Sequence, residues 1–389
     1  MCAASEYASD PRVRRQAEAL VARGDQVTVL ALHAEGRPRY EVIDGVRVVH
    51  LKTRKFRGTS GKSYLKLYAS FGARAAAWLA ARPRSFDLVQ AHSMPEALVF
   101  CAAVQRTLRI PLLLDVHDIT SKLFESKFGS GRIVELVRAS ENASMRYATE
   151  VLTVHEPYAD ELRSRTRRRV TSVLNSPDER LFGTSRWRPW DPAGEVVFSY
   201  HGTITPRHGL PTLVEALADV RAGAVPGARA LPGARLQVRG GGDGLAAVAA
   251  RVRELGLEDA VDLPAGLIPV TEMAAELDRV HLGVAPNVLD IWTADVLPTK
   301  VLEYSALGIP SISFRNPVMD RYFPPDAVTY VDPATRQNLG EAMVALAADP
   351  ELARKQAGRA SEVMAELAWA HQKEIYLEVI DRLAGRGNS

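Results

Sequence analysis

Short apolar runs alternate with longer amphipathic ones along this chain, twice over, and few folds can be built from such a pattern. The runs at 26–32, 86–90, 111–116, 151–154 and 170–174 are four to seven residues long. They are mostly aliphatic and β-branched, as strands buried on both faces are. A second series has strands at 196–201, 236–239, 261–263, 282–285 and 310–313, with a late addition at 328–331. Helix-like stretches separate them, and this alternation predicts parallel sheets covered by helices. The 389 residues are about twice a usual domain. The expected class is therefore α/β with two doubly wound, Rossmann-like domains, over 1–178 and 179–368. A helix at 369–389 is long enough to cross back to the first domain.

The first series opens on a helix, 10–23, with Asp10 as N-cap and Pro11 in its first turn. An alternating chain needs a strand before that helix, and residues 1–9 read as too polar to supply one. The first strand of the N-terminal domain is thus expected to be absent, or the true start to lie upstream. A hairpin follows at 40–51, turned at Asp44-Gly45. Residues 175–194, rich in Pro, Asp and Trp without a period, read as the interdomain linker.

Composition narrows the setting. Hydrophobic residues at 47% can fill two cores, and a net charge of +3 is too slight to suggest nucleic acid. Cys2 and Cys101 fit no metal or redox spacing, which suits a reducing cytoplasm. No apolar run reaches the length of a membrane span and no signal peptide is evident, so a cytoplasmic protein is expected, at most resting on the inner face of the plasma membrane. Arg54, Lys55, Phe56, Arg57, Lys62, Tyr64, Lys66 and Tyr68 form a basic, aromatic stretch without an acid. It reads either as peripheral contact with an anionic membrane or as a solvated loop.

In open parallel sheets, ligands gather at the carboxyl ends of strands. His92, His117 and His155 each stand at such an end, and Asp118 follows His117. In the second series, residues 200–210 form a strand, a loop and a helix start, in which Gly202 permits close backbone approach and Arg207 can grip a phosphate. A second glycine-rich strand end contains Gly240, and Leu267 and Ile268 can wall a base. At 295–310 Pro298 suits a helix's first turn, Thr299 and Lys300 offer amides, a hydroxyl and a cation to a phosphate, Glu303 lies one turn in, and Gly308 stops the helix. Three loops of one domain agree on a phosphate-bearing ligand.

Taken together, Asp10-Pro11-Arg12, Asp115-Val116-His117-Asp118, Gly202 with Arg207-His208-Gly209, and the block Pro298 to Gly308 resemble family 4 glycosyltransferases over nearly the whole chain. The resemblance implies the GT-B fold, with two Rossmann-like domains facing a cleft, and retaining transfer from a nucleotide-sugar in the C-terminal domain to an acceptor in the N-terminal one. It implies that Glu303 binds the ribose hydroxyls, and that Thr203, Arg207, Lys300 and the backbone of Thr299 to Val301 line the diphosphate. It places Leu267 and Ile268 beside the base and His117 near the sugar and the reacting bond. His92, Asp118 and His155 fall on the acceptor side. The family's two acids eight residues apart are here Asp295, one methylene short of the usual glutamate, and Glu303. Thr203 and His208 stand where the family usually has basic residues. No cofactor or metal is implied; the donor is expected to be UDP- or GDP-linked, and the acceptor a glycan, a lipid-linked sugar or a small molecule. A nucleotide-sugar epimerase of the same fold and a non-catalytic or truncated nucleotide-sugar-binding protein are the competing readings.

Overall fold

The computed structural model describes residues 1–54, 61–183, 185–264, 266 and 268–385. Lys55, Phe56, Arg57 and Leu267 lie outside these residues, as do the side chains of Arg54, Lys62 and Tyr64. The chain divides into one unit of Met1–Asn175 with Ala370–Ser389 and another of Ser176–Trp369.

The N-terminal unit holds β1 (Thr28–His33), β2 (Tyr40–Ile43), β3 (Val46–Arg54), β4 (Val89–His92), β5 (Leu112–Val116), β6 (Glu150–Thr153) and β7 (Val170–Ser172). One sheet runs β1-β3-β2, the other β4-β5-β6-β7, with every pair parallel except β2 with β3. Residues 1–5 lie between the two. Cys2 bridges both Leu30 and Ala91 in parallel, its N–H donating to Gln90 O at 2.8 Å and its carbonyl accepting from His92 N at 2.9 Å. Ala3 N donates to Leu30 O at 3.0 Å, and Leu32 N to Ser5 O at 2.9 Å. No regular strand forms there, yet the polarity argument against this segment needs correction. Within residues 1–5 Cys2 and Ala3 are the buried side chains, and both are small and apolar. Ser5 is satisfied by donating to the N-cap carboxylate of Asp10 at 2.7 Å.

The basic, aromatic stretch also departs from a plain loop, since Lys66 and Tyr68 fall on a helix, Gly61–Ala80, with Tyr68 packed against the core. A helix at Thr120–Phe128 was not evident from the sequence.

In the second unit β8 (Val196–His201), β9 (Ala234–Arg239), β10 (Val261–Asp262), β11 (Leu282–Ala285), β12 (Ser311–Phe314) and β13 (Thr329–Val331) form one sheet of order β10-β9-β8-β11-β12-β13. All its pairs are parallel. The order reverses between β8 and β11, the switch point where a doubly wound sheet opens a crevice at its carboxyl edge. Residues expected to be a linker instead pack onto this unit: Trp190 is in its core, with Nε1 donating to Ala347 O at 2.8 Å, and Phe182 is fully buried.

Candidate functional site

Three segments of the second unit meet at the switch point. The loop after β8 continues its pairing with β9, since Gly202 N donates to Arg239 O at 2.8 Å and Ile204 N to Gly241 O at 3.0 Å. Gly202 has φ +111°, a conformation that other residues resist. Gly240 answers to this loop: a Cβ there would lie 1.9 Å from Gly202 O, so its lack of side chain is required by packing within the protein. The loop then turns through Pro206–His208, and Arg207 O accepts from Val288 N at 2.9 Å, which ties it to the loop after β11. That second loop is braced by Asp290, whose Oδ1 accepts from Trp292 N at 2.9 Å and Thr293 N at 2.7 Å. Asn316 Nδ2 donates to the carbonyls of Thr293 and Val296, both at 2.9 Å. Asp295 sits half-buried at the end of the turn Thr293–Asp295.

Leading out of this loop is the helix Thr299–Ala306, with Pro298 as its N-cap. Val301 N donates to Pro298 O at 3.0 Å, so that amide closes the helix's own first turn and is not free for a phosphate. Thr299 and Lys300 precede that bond. Thr299 is exposed, whereas Lys300 is buried with Nζ 4.7 Å from the centroid of the Tyr200 ring. Burial lowers the Lys300 ammonium to about 8, against an opposing pull from the Glu303 charge. Burial also pushes His208 down to about 3, with Lys300 and Arg207 adding to the effect, so His208 is neutral and does not replace a family lysine as a cation. Its Nδ1 lies 3.0 Å from Thr205 Oγ1.

Arg207 lays its guanidinium over Trp292, 4.9 Å from the ring centroid. Among the described residues Arg207 Nη1, Trp292 Nε1 and the neighbouring Asn287 Oδ1 are buried without a hydrogen-bond partner. Orphaned polar atoms of this kind are costly, and a polar ligand would satisfy them. Neither Asn287 nor Trp292 carried a motif in the sequence. Glu303 is fixed by His201, whose Nε2 stands 2.5 Å from Glu303 Oε2. Ile268 is half-buried against the apolar cluster that includes Phe182 and Tyr304, and Thr203 is exposed, its carbonyl accepting from Tyr200 OH at 2.5 Å.

In the N-terminal unit, β4 and β5 bring His92 and His117 together around Asp115. His92 Nδ1, His117 Nε2 and Asp115 Oδ2 are mutually 3.3 Å apart. Arg12 donates to both oxygens of Asp115, at 2.9 and 2.7 Å, and Gln16 Nε2 to Oδ2 at 2.9 Å. Burial alone would raise the Asp115 carboxyl, but the Arg12 charge, with His117 and His92, holds it well below the usual carboxylate range. The carboxylate can only accept, so both imidazoles donate to it. Burial lowers His92, keeping that ring neutral with its proton on Nδ1. His117 then has Nδ1 left for another partner, and its side chain is 20% exposed. The triangle of donor atoms has the spacing of a tetrahedral metal face. Arg12 already neutralises the carboxylate, however, so a dication there would face a neighbouring guanidinium.

Asp118 is half-buried just beyond this group. His155 differs from the other two histidines: its Nδ1 accepts from Tyr158 N at 3.2 Å and caps the helix Glu156–Arg165. The ring is buried, with Nδ1 taken up by its own helix.

The family model described as Glycosyl transferase 4-like domain matches residues 9–177, and that described as Glycosyl transferases group 1 matches residues 195–349. Among curated proteins none matches the sequence. Sucrose-phosphate synthase from Thermosynechococcus elongatus shares the fold at TM-score 0.77 and 18% identity, over 99% of both chains. Anabaena HepE, solved in complex with UDP-glucose, does so at TM-score 0.72 and 14% identity over 98% of each chain. The catalytic domain of starch synthase IV from Arabidopsis thaliana, bound to ADP and acarbose, matches at TM-score 0.70 and 11% identity, over 99% of this chain and 98% of that one. These likenesses show the GT-B fold. With both halves matched by their family models, the chain belongs to the family 4, group 1 glycosyltransferases, retaining enzymes that draw on a nucleotide-sugar donor.

Proposed function

We propose that this glycosyltransferase moves a hexose-type sugar from a UDP- or GDP-linked donor to a glycan, lipid-linked or small-molecule acceptor, with retention of configuration and without a metal ion. The observation that carries this reading is the grouping at the switch point of a carboxylate held by a histidine, a buried ammonium and a guanidinium with an orphaned N–H. A ribose diol suits Glu303, and a diphosphate suits Arg207, Lys300 and the amides of Thr299 and Lys300. Asp295, on the turn before the helix, accepts from a donor-sugar hydroxyl. HepE was solved with UDP-glucose, which agrees with a uridine donor.

The barrier to such a transfer is separation of a sugar cation from a nucleotide diphosphate. Two cations and helix-end dipoles aimed at the leaving oxygens lower it, without a metal's charge. The leaving phosphate takes the acceptor's proton on the face from which it departs, so no carboxylate nucleophile is needed. His117, oriented by Asp115, and with it His92 and Asp118, serve the acceptor and sugar side. Calorimetric titration with UDP, GDP and ADP tests the donor half of this reading. One nucleotide should bind selectively, and Glu303→Ala should weaken it roughly tenfold or more, as loss of hydrogen bonds to a charged group does. Equal binding by the variant would remove Glu303 from the site.

A further inference from the structure

We infer that His201 and Tyr304 aim Glu303, and that this aim makes the site select a nucleotide with an intact ribose diol; the inference rests on the donor-site reading above. The argument starts at Ser199 on β8. Its backbone oxygen can only accept, so Tyr304 OH, 2.8 Å away, donates to it. The Tyr304 oxygen then accepts from His201 Nδ1 at 3.1 Å, which places a proton on Nδ1. The other nitrogen, Nε2, is 2.5 Å from Glu303 Oε2, a separation that requires a proton between them. Whether that proton sits on the ring or on the carboxyl, Oε2 is committed to His201. Among the described residues no hydrogen bond is recorded to Glu303 Oε1, and the side chain is 18% exposed. One oxygen is therefore held, and the other is offered.

The chain of contacts has its own support in the sheet. Tyr304 is fully buried against β11, where a Cβ on Gly283 would lie 2.3 Å from the tyrosine ring. His201 is 3% exposed and meets the Tyr304 ring edge-on at 4.8 Å between centroids. A glycine in the middle of a buried strand thus admits the tyrosine that carries β8's carbonyl contact to the histidine. His201 and Tyr304 are positioning residues, since each acts through Glu303.

The test compares the nucleotide that the wild type binds best, among UDP, GDP and ADP, with its 2′-deoxy and 3′-deoxy forms. The wild type should prefer the ribose form roughly tenfold or more over at least one deoxy form. In His201→Leu that ratio should fall to about twofold or less, because an unaimed carboxylate gains little from the hydroxyls. A purely structural defect would weaken all forms alike and leave the ratio unchanged, which would overturn the inference. His201→Gln, whose amide can still donate to Glu303, should keep a ratio between the two. If His201→Leu does not fold, Tyr304→Phe removes the Nδ1 acceptor with the ring retained, and an undiminished ratio in it overturns the inference equally. Absence of nucleotide binding by the wild type would instead count against the donor-site reading itself.

Discussion

At the scale of single residues, Lys300 shows how its proposed role on a diphosphate would oppose stability. Burial takes its ammonium from 10.5 down to about 8. Between those values the unfolded chain holds a proton that the folded one has lost, so stability from this group rises with pH from about 8 to 10.5 and is lowest below 8. The drop corresponds to about 3 kcal/mol of penalty at neutral pH. Lys300→Met should therefore raise the melting temperature at pH 7 while weakening nucleotide binding, which thermal scans and titrations of the same samples would show. A bound diphosphate favours the charged form. At pH 8 wild-type binding should take up about half a proton, seen as buffer-dependent heat, and Lys300→Met should lose that uptake. A variant no more stable than wild type would mean that the ammonium is better solvated than its burial implies. Arg207, Lys300 and Glu303 were legible as candidates, the first beside Pro206 and the other two on the short helix that Pro298 opens and Gly308 ends. His201 was not, since its partner lies 102 residues on and only the strand order of the second sheet brings them together.

At the scale of elements, the same limit explains the helix Thr120–Phe128. Its N-cap is Ile119, with no side-chain cap, so the usual start signal is missing. The start is held from elsewhere in the chain: Glu96 Oε1 accepts from Thr120 Oγ1 at 2.6 Å, and Glu141 accepts from Ser121 N at 2.6 Å and Ser121 Oγ at 2.8 Å. Helices whose caps are local, such as Pro11–Ala22 with Asp10, were readable in advance. Burial, with the Glu141 charge adding to it, raises Glu96 to about 8. The folded state then keeps a proton that the unfolded state releases near 4.5, so this carboxyl's contribution is fully present below 4.5 and is lost as pH rises toward 8. Glu96→Gln keeps an acceptor for Thr120 and cannot ionise. Its denaturation midpoint should change less between pH 5 and 9 than that of the wild type, with the variant the more stable above pH 8. Parallel pH slopes for the two proteins would show that Glu96 is not the group responsible.

At the scale of the whole chain, the last helix belongs to the unit that the first residues build. Trp369–Ala384 lies more than two hundred residues beyond β4, yet Tyr376 OH donates to Gln90 Oε1 at 2.8 Å. Gln90 Nε2 donates to Gln16 Oε1 at 2.6 Å, and Gln16 Nε2 to Asp115 Oδ2 at 2.9 Å. All four side chains are at most 1% exposed, so the line from the terminal helix to the carboxylate between His92 and His117 is dry. Arg23–Asp381 at 2.7 Å and Arg382–Glu150 at 2.5 Å fasten the same helix at its far end. In such a line each donor leaves its neighbour one orientation, and removing an end member leaves an acceptor buried and unmet, at a cost of roughly 1–3 kcal/mol. Tyr376→Phe removes one hydroxyl and little volume. It should lower the stability of the N-terminal unit by about that amount, read as faster amide exchange in β4 and β5. Because Gln16 can then turn toward the unmet Gln90, Asp115 loses a donor and His117 loses part of its orientation. Turnover should fall severalfold while nucleotide affinity, which the proposed donor site assigns to residues of the other unit, stays within about twofold. A fall in affinity with unchanged turnover would reverse the assignment, placing the influence of this helix on the donor rather than on the His117 side.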